Sequence, residues 1–162
     1  MQIGKAWPGI REALEITLKG VVPLGMETVP LADSVDRVAA QSLRARVDSP
    51  SVNASLKDGY AVLSGDVSKA SREQPTPLNC IGLSAAGGEG DVRLAAGTTV
   101  RVLTGAKIPE NADAVVAEEY TTREEDVVWV RVVAEPARNI LPSGSDVRQG
   151  QEVAGTGQVL TP

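Results

Sequence analysis

From Val47 onward, turn-forming residues interrupt the chain every several positions. They are Ser49-Pro50, Asp58-Gly59, Ser64-Gly65-Asp66, Pro75 to Pro77 and Gly87-Gly88. Short apolar runs lie between them: Tyr60 to Leu63, Leu78 to Ser84, Thr98 to Leu103 and Asp113 to Ala117. Runs of this length are too short for stable helices and suit strands, so the spacing predicts a small all-strand body. Composition agrees. The chain has no Phe, and Trp7, Trp129, Tyr60 and Tyr120 are its only large rings. A core must be built from Val, Leu, Ile and Ala, and β-branched residues favour strands. The clearest hairpin joins Val115–Thr122 to Val127–Val133 through Arg123-Glu124-Glu125-Asp126. Val128 to Val132 has too few polar positions for clean alternation, which predicts a strand covered on both faces.

Before Val47 the pattern is helical. Ile10, Ala13, Leu14, Thr17 and Leu18 share one face of a helix over Pro8–Lys19, with Pro8 in its first turn and Gly20 after its last. A second helix is expected over Leu31–Leu43, with Leu31, Val35, Val38, Ala39 and Ser42 on one face. The tail, Gly144–Pro162, reads as short strands and turns. The expected fold class is α+β: a strand-rich, β-barrel-like domain (46–143) inserted into a small mixed helix/strand domain formed by 1–45 and 144–162.

The net charge is -5 and none of the 16 basic residues forms a run, which argues against nucleic acid or a membrane surface as partner. With no His and a single Cys, zinc sites of the usual Cys/His type, Ser-His-Asp triads and an intramolecular disulfide are excluded for this segment. The first 25 residues carry no long apolar run, so neither a signal peptide nor a membrane span is expected, and the cytoplasm is the expected compartment.

Four segments can carry chemistry. In Ser55-Leu56-Lys57-Asp58-Gly59-Tyr60-Ala61, a carboxylate at a turn lip either ligates a hydrated cation, acts as a base or simply starts the next strand. In Thr104-Gly105-Ala106-Lys107-Ile108-Pro109, a strand end exposes a hydroxyl and N–H groups that can meet an oxyanion, with Lys107 near; the alternative is a plain strand terminus. In Asp113 to Glu119, Asp113 can orient the preceding loop. Glu118 and Glu119 would point to opposite faces of a strand, so at most one faces a site. Asn139 to Asp146 is a polar bend with an exposed carboxylate, or a crossing between two subdomains. Cys80, inside an apolar run, reads as a buried inert thiol.

In this order, these segments resemble the molybdopterin molybdenumtransferases, the family of MoeA and the gephyrin E-domain. That family has a Ser-x-Met-Asp-Gly-Tyr-Ala turn, a Thr-Gly-Ala-x-x-Pro loop, an Ala-Asp-Ala-Val-Val strand and a Gly-Glu-Asp bend. Here they correspond to Ser55–Ala61, Thr104–Pro109, Ala112–Val116 and Gly144–Asp146. Lys57 stands where the family usually has Met, Leu141 and Ser143 where many members carry Arg, and Ser145 where Glu is usual. The resemblance implies the N-terminal region of a longer enzyme whose molybdopterin-binding α/β domain is absent from this chain. It implies a transferase that inserts molybdate into adenylylated molybdopterin, releases AMP, uses Mg²⁺ and works as a homodimer. This segment would be inactive alone. It implies catalytic roles for Asp58 and Thr104, and substrate contacts from Ser55, Gly59, Gly105 and Asp146. No direct metal ligand is expected, Asp58 reaching Mg²⁺ only through water. The alternative is a non-catalytic interaction or dimerisation module that keeps the scaffold.

Overall fold

A computed structural model of the chain describes residues 9–22, 24–88 and 92–162. These fall into two compact units: residues up to Gln41 with Gly155–Pro162, and Ser42–Ala154.

The first unit holds helix α1 (Ile10–Lys19), which starts after Gly9 and ends at Gly20. Pro8 and Trp7 lie outside the described residues. The expected apolar stripe is present, but Ile10, Leu14 and Leu18 are all exposed. The helix buries no side chain. The expected second helix over Leu31–Leu43 does not form. Only a 3₁₀ turn, Leu31–Asp33, is helical. Asp36 takes a positive φ of 64°, outside the helical region. The backbone then pairs with the tail instead. The N–H groups of Asp36 and Ala39 donate to the carbonyls of Leu160 and Gln158, and Leu160 returns a bond to Arg37. Leu31, Val35 and Val38 therefore remain exposed despite their helical spacing.

Among the described residues the second unit contains ten strands: β1 (Leu43–Arg44), β2 (Ala54–Ser55), β3 (Gly59–Val62), β4 (Thr76–Ser84), β5 (Thr98–Val102), β6 (Ala114–Ala117), β7 (Thr121–Glu124), β8 (Val127–Val130), β9 (Ile140–Leu141) and β10 (Glu152–Ala154). β1 pairs with β10, and β2 with β9; the other six form one sheet in the order β6-β3-β5-β4-β8-β7. All contacts are antiparallel except β4 with β5, which run parallel. β1 and β10 pair with each other, and both fall within the second unit, so residues 43–44 and 152–154 belong there.

The order explains the curvature. β6 and β7 occupy opposite edges, yet only the 3₁₀ turn Glu118–Tyr120 separates them in sequence. A flat sheet of six strands spans roughly 24 Å between edges, at about 4.8 Å per gap. The link from Ala117 to Thr121 reaches at most about 15 Å. The sheet therefore curls until its edges approach, giving a barrel-like wall.

Side chains alternate across this wall. Tyr60, Val62, Ala114, Val116, Leu78, Val128 and Val130 pack into one cluster. Ala61, Val115, Val100, Val102, Leu94 and Ile108 form a second. β3 and β6 are buried along their whole length because both clusters claim them. Each fully buried aliphatic side chain contributes about 1.5–3 kcal/mol, which is how a chain almost without aromatics builds a core. The buried hydroxyl of Thr99 donates to the Ala61 carbonyl at 2.7 Å, so its burial leaves no polar group unpaired.

The expected hairpin is shorter than its sequence pattern. β7 and β8 pair from Thr121↔Val130 to Glu124↔Val127, with Glu125 at φ 55° in the turn. Val115–Ala117 instead belongs to β6, at the far edge. In β8, Val128 and Val130 are buried and Val127 and Trp129 half-buried, so the cover on its second face is partial. Cys80 is half-buried, packed against the first cluster.

Candidate active site

β3 lies between β5 and β6 and runs antiparallel to both, with Gly59 opposite Val102 on one side and Ala117 on the other. The residue before β3 must then meet the residues that follow β5 and β6. Asp58, Thr104 and Glu118 converge in this way, although they are far apart in sequence. A cleft of about 490 Å³ opens there, lined by Lys57, Asp58, Thr104, Glu118 and Glu119.

Asp58 and Thr104 are directly bonded. The Thr104 N–H donates to Asp58 Oδ1 at 2.7 Å and the Thr104 hydroxyl to the same oxygen at 2.8 Å. These two bonds, and more weakly the nearby Arg101 guanidinium, hold the Asp58 carboxyl below its ordinary pKa. Asp58 is thus a committed carboxylate at neutral pH, exposed, with both of these bonds on Oδ1 and none recorded on Oδ2 among the described residues. Its carbonyl accepts the Glu118 N–H at 3.0 Å, which fixes the lip on the other side. Arg101 on β5 places one guanidinium nitrogen 3.2 Å from each Glu118 carboxylate oxygen.

The loop carrying Thr104 is held by residues just before Asp58. Gly105 N–H donates to the Ser55 carbonyl at 2.8 Å, Ser55 N–H to Ala106 at 2.9 Å, and Ile108 N–H to Asn53 at 2.9 Å. Gly105 meets this bend with φ +80°, a region open to glycine.

The expected substrate contacts separate into different tasks. Ser55 is buried, and its hydroxyl donates to the Lys57 carbonyl at 2.6 Å; it shapes the turn and does not line the cleft. An Asp-Gly pair often places its glycine at positive φ, but Gly59 does not take one. A Cβ there would lie 2.1 Å from the Val116 carbonyl oxygen, so close approach of β3 to β6 is what demands glycine. Gly105 has its N–H engaged on Ser55. Asp146 is exposed on the bend 142–146 and is not among the residues lining the cleft. That bend packs on residues 48–53: Ser143 N–H donates to Asn53 Oδ1 at 2.9 Å and Gly144 N–H to the Pro50 carbonyl at 2.9 Å. Lys107 is exposed and does not line the cleft either.

The third segment differs from expectation in which loop Asp113 holds and in where its two glutamates face. Asp113 orients not the loop just before it but the one that follows β3: its oxygens accept the N–H and the hydroxyl of Ser64, both at 2.6 Å. Glu118 and Glu119 both line the cleft, because they sit in a 3₁₀ turn where strand alternation does not apply. Lys57 and Arg101 were given no role in the site from sequence; only the register of β3 against β5 and β6 reveals them.

The curled sheet and its Asp–Thr lip define a β scaffold that presents a carboxylate and an ammonium at one open cleft. Residues 9–162 match the family pattern described as the MoeA N-terminal region (domain I and II). The chain is 38% identical over 154 residues to a molybdopterin molybdenumtransferase of Synechococcus elongatus, covering 93% of this chain and 38% of that protein. A molybdopterin molybdenumtransferase of Haemophilus influenzae is 33% identical over 141 residues, covering 86% and 34%. A crystal structure of the molybdopterin biosynthesis MoeA protein from Pyrococcus horikoshii superposes with a TM-score of 0.87 at 34% identity, covering 94% of this chain and 40% of that one. The chain belongs to the MoeA family, as its N-terminal region. It spans 38% of the first of these relatives.

Proposed function

We propose that this chain is the N-terminal part of a cytoplasmic enzyme of molybdenum cofactor biosynthesis, which inserts molybdate into adenylylated molybdopterin with release of AMP. The observation that carries the reading is the Asp58–Thr104 pair, two bonds at 2.7 and 2.8 Å at the mouth of an open cleft, in a chain of this family. An ionised, exposed Asp58 with one oxygen free of hydrogen bonds to the described residues is suited to accept a proton from, or orient, a bound water at the reacting group. Thr104 positions that carboxylate. The remainder of the site is supplied by the part of the enzyme beyond this chain, with a second subunit facing the cleft in a homodimer.

Mg²⁺ is the metal the family resemblance brings. Among the described residues no group of three or more Asp, Glu, His or Cys side chains is placed to hold a metal ion. A single exposed Asp58 carboxylate fits Mg²⁺ only through a bound water. Among the described residues no helix is long and apolar enough to cross a membrane.

The test is molybdate insertion by the full-length protein carrying Asp58→Asn or Thr104→Ala. Turnover falls in both while the fold is retained. Wild-type turnover in both variants would remove the pair from the mechanism. No molybdate insertion by the unmodified full-length protein would instead favour the second reading, a non-catalytic interaction module, which the replacement of family arginines by Leu141 and Ser143 supports.

A further inference from the structure

We infer that the last residues of β4, Ile81–Ser84, form a docking edge that takes up one more strand, an extended acidic segment of a partner protein. This edge lies outside the cleft at Asp58, and its role is independent of the function proposed above. β4 is nine residues long, but β8 pairs with it only from Thr76 to Asn79. The Cys80 N–H still donates to the Asp126 carbonyl at 2.7 Å. There the turn between β7 and β8 ends the neighbouring strand. Along Ile81–Ser84, β5 lies on one side and no strand among the described residues lies on the other. An edge of this kind can pair with an incoming strand. Ile81 and Leu83 are 48% and 58% exposed, so apolar side chains are on offer beside the backbone.

The charge beside the edge selects the occupant. A hollow of about 400 Å³ opens there, lined by Cys80, Ile81 and Leu83 with Arg101, Arg123 and Asp126. Arg101 stands opposite Tyr60, and Arg123 opposite Val128. Directly paired residues share a face of a sheet, and Tyr60 and Val128 both belong to the first core cluster. Both guanidinium groups therefore rim the same face. The lining carries two cations and one carboxylate in a chain whose net charge is -5. Asp126 approaches Arg123 only to 3.7 Å and is highly exposed, so this ion pair is weak. Arg101 spends one nitrogen, Nη2, on Glu118. Its Nε is the one buried side-chain nitrogen or oxygen among the described residues with no hydrogen-bond partner. A buried donor without an acceptor is destabilising, and a carboxylate on an added strand supplies the acceptor. The matching segment has an acidic residue with apolar residues two positions away on either side. Its carboxylate then meets Arg101 and Arg123, and its apolar side chains meet Ile81 and Leu83.

The probe is a fluorescein-labelled peptide, Val-Thr-Glu-Thr-Val, titrated into this chain and into the full-length protein by fluorescence anisotropy. NMR of the backbone amides and of the arginine Nε–H groups locates the contact. Saturable binding to both proteins is expected, with slowed amide exchange within Ile81–Ser84 and a shift of the Arg101 Nε–H. Gln in place of the peptide Glu weakens binding about tenfold or more. Arg123→Gln, a change on the exposed rim, weakens it to a similar degree, and Leu83→Glu does so by repelling the acidic peptide. Equal affinity for the Glu and Gln peptides overturns the inference, as do shifts at Asp58 and Thr104 in place of Ile81–Ser84. Binding by this chain but not by the full-length protein also overturns it, because the rest of the enzyme would then cover the edge. Self-association of the full-length protein that Leu83→Glu abolishes would assign the edge to a second copy and overturn it as well.

Discussion

Thr104 directs both of its donors to a single oxygen of Asp58, across forty-odd residues of intervening chain, at 2.7 and 2.8 Å. One carboxylate oxygen is thereby saturated and the other left open. That asymmetry makes Asp58 a fixed, ionised group and not a mobile surface acid, and it has a measurable electrostatic consequence.

The Asp58 carboxyl titrates below its ordinary 3.8, chiefly because of the two Thr104 bonds. Thr104→Val deletes the hydroxyl bond but keeps the N–H bond, so the pKa is expected to rise part of the way back. The sign for stability follows: a depressed folded-state value means the pair stabilises the fold above pH 3.8 and loses that contribution as pH falls through the folded value. A carboxyl-carbon NMR titration of wild type and variant checks this, and identical curves would contradict the bonding described.

Gly59→Ala places a methyl 2.1 Å from the Val116 carbonyl oxygen. β3 and β6 must separate or shift, and the expected loss is about 1–3 kcal/mol or more, as for an overpacked core. Urea denaturation measures it. A loss confined to a few tenths would mean the two strands part easily, which their fully buried faces argue against.

The two residues Leu78 and Ile81 test the alternation along β4. Leu78 is 2% exposed and Ile81 48% exposed. Leu78→Ala is expected to cost about 2–5 kcal/mol, and Ile81→Ala about 0.5 kcal/mol or less. Similar losses at both positions would mean that the second face of β4 is also covered.

Asp113→Ala removes the acceptor of both Ser64 donors. Bonds to a charged group of this kind contribute about 1.5–3 kcal/mol. Asp113→Asn keeps one acceptor oxygen and should lose less. Thermal unfolding of the two variants ranks them, and the reverse order would show that the carboxylate charge is not what holds the loop.

Much of the strand-rich unit was legible because turn residues bracket each apolar run. The runs at Tyr60, Leu78, Thr98 and Asp113 all became strands. The helix expected over Leu31–Leu43 failed because Leu31, Val35 and Val38 fit a helical spacing by accident, while their backbone pairs with residues 157–160. No local pattern contains that long-range pairing. For the site, Asp58 and Thr104 were identifiable as candidates from their motifs, but their contact depends on strand register. The place of Lys57, and the sharing of one cleft by Glu118 and Glu119, were hidden for the same reason. Gly59 shows a further limit: a glycine needed for close approach looks in sequence like one needed for a left-handed turn.

The turn Glu118–Tyr120 that brings the two edges of the curled sheet together also supplies the cleft with Glu118 and Glu119. The seam that keeps the wall from flattening is thus the rim of the site. Insertions tolerated in an ordinary surface loop would here act twice, relaxing the curvature and moving the acids away from Asp58, so architecture and chemistry constrain the length of this short segment together.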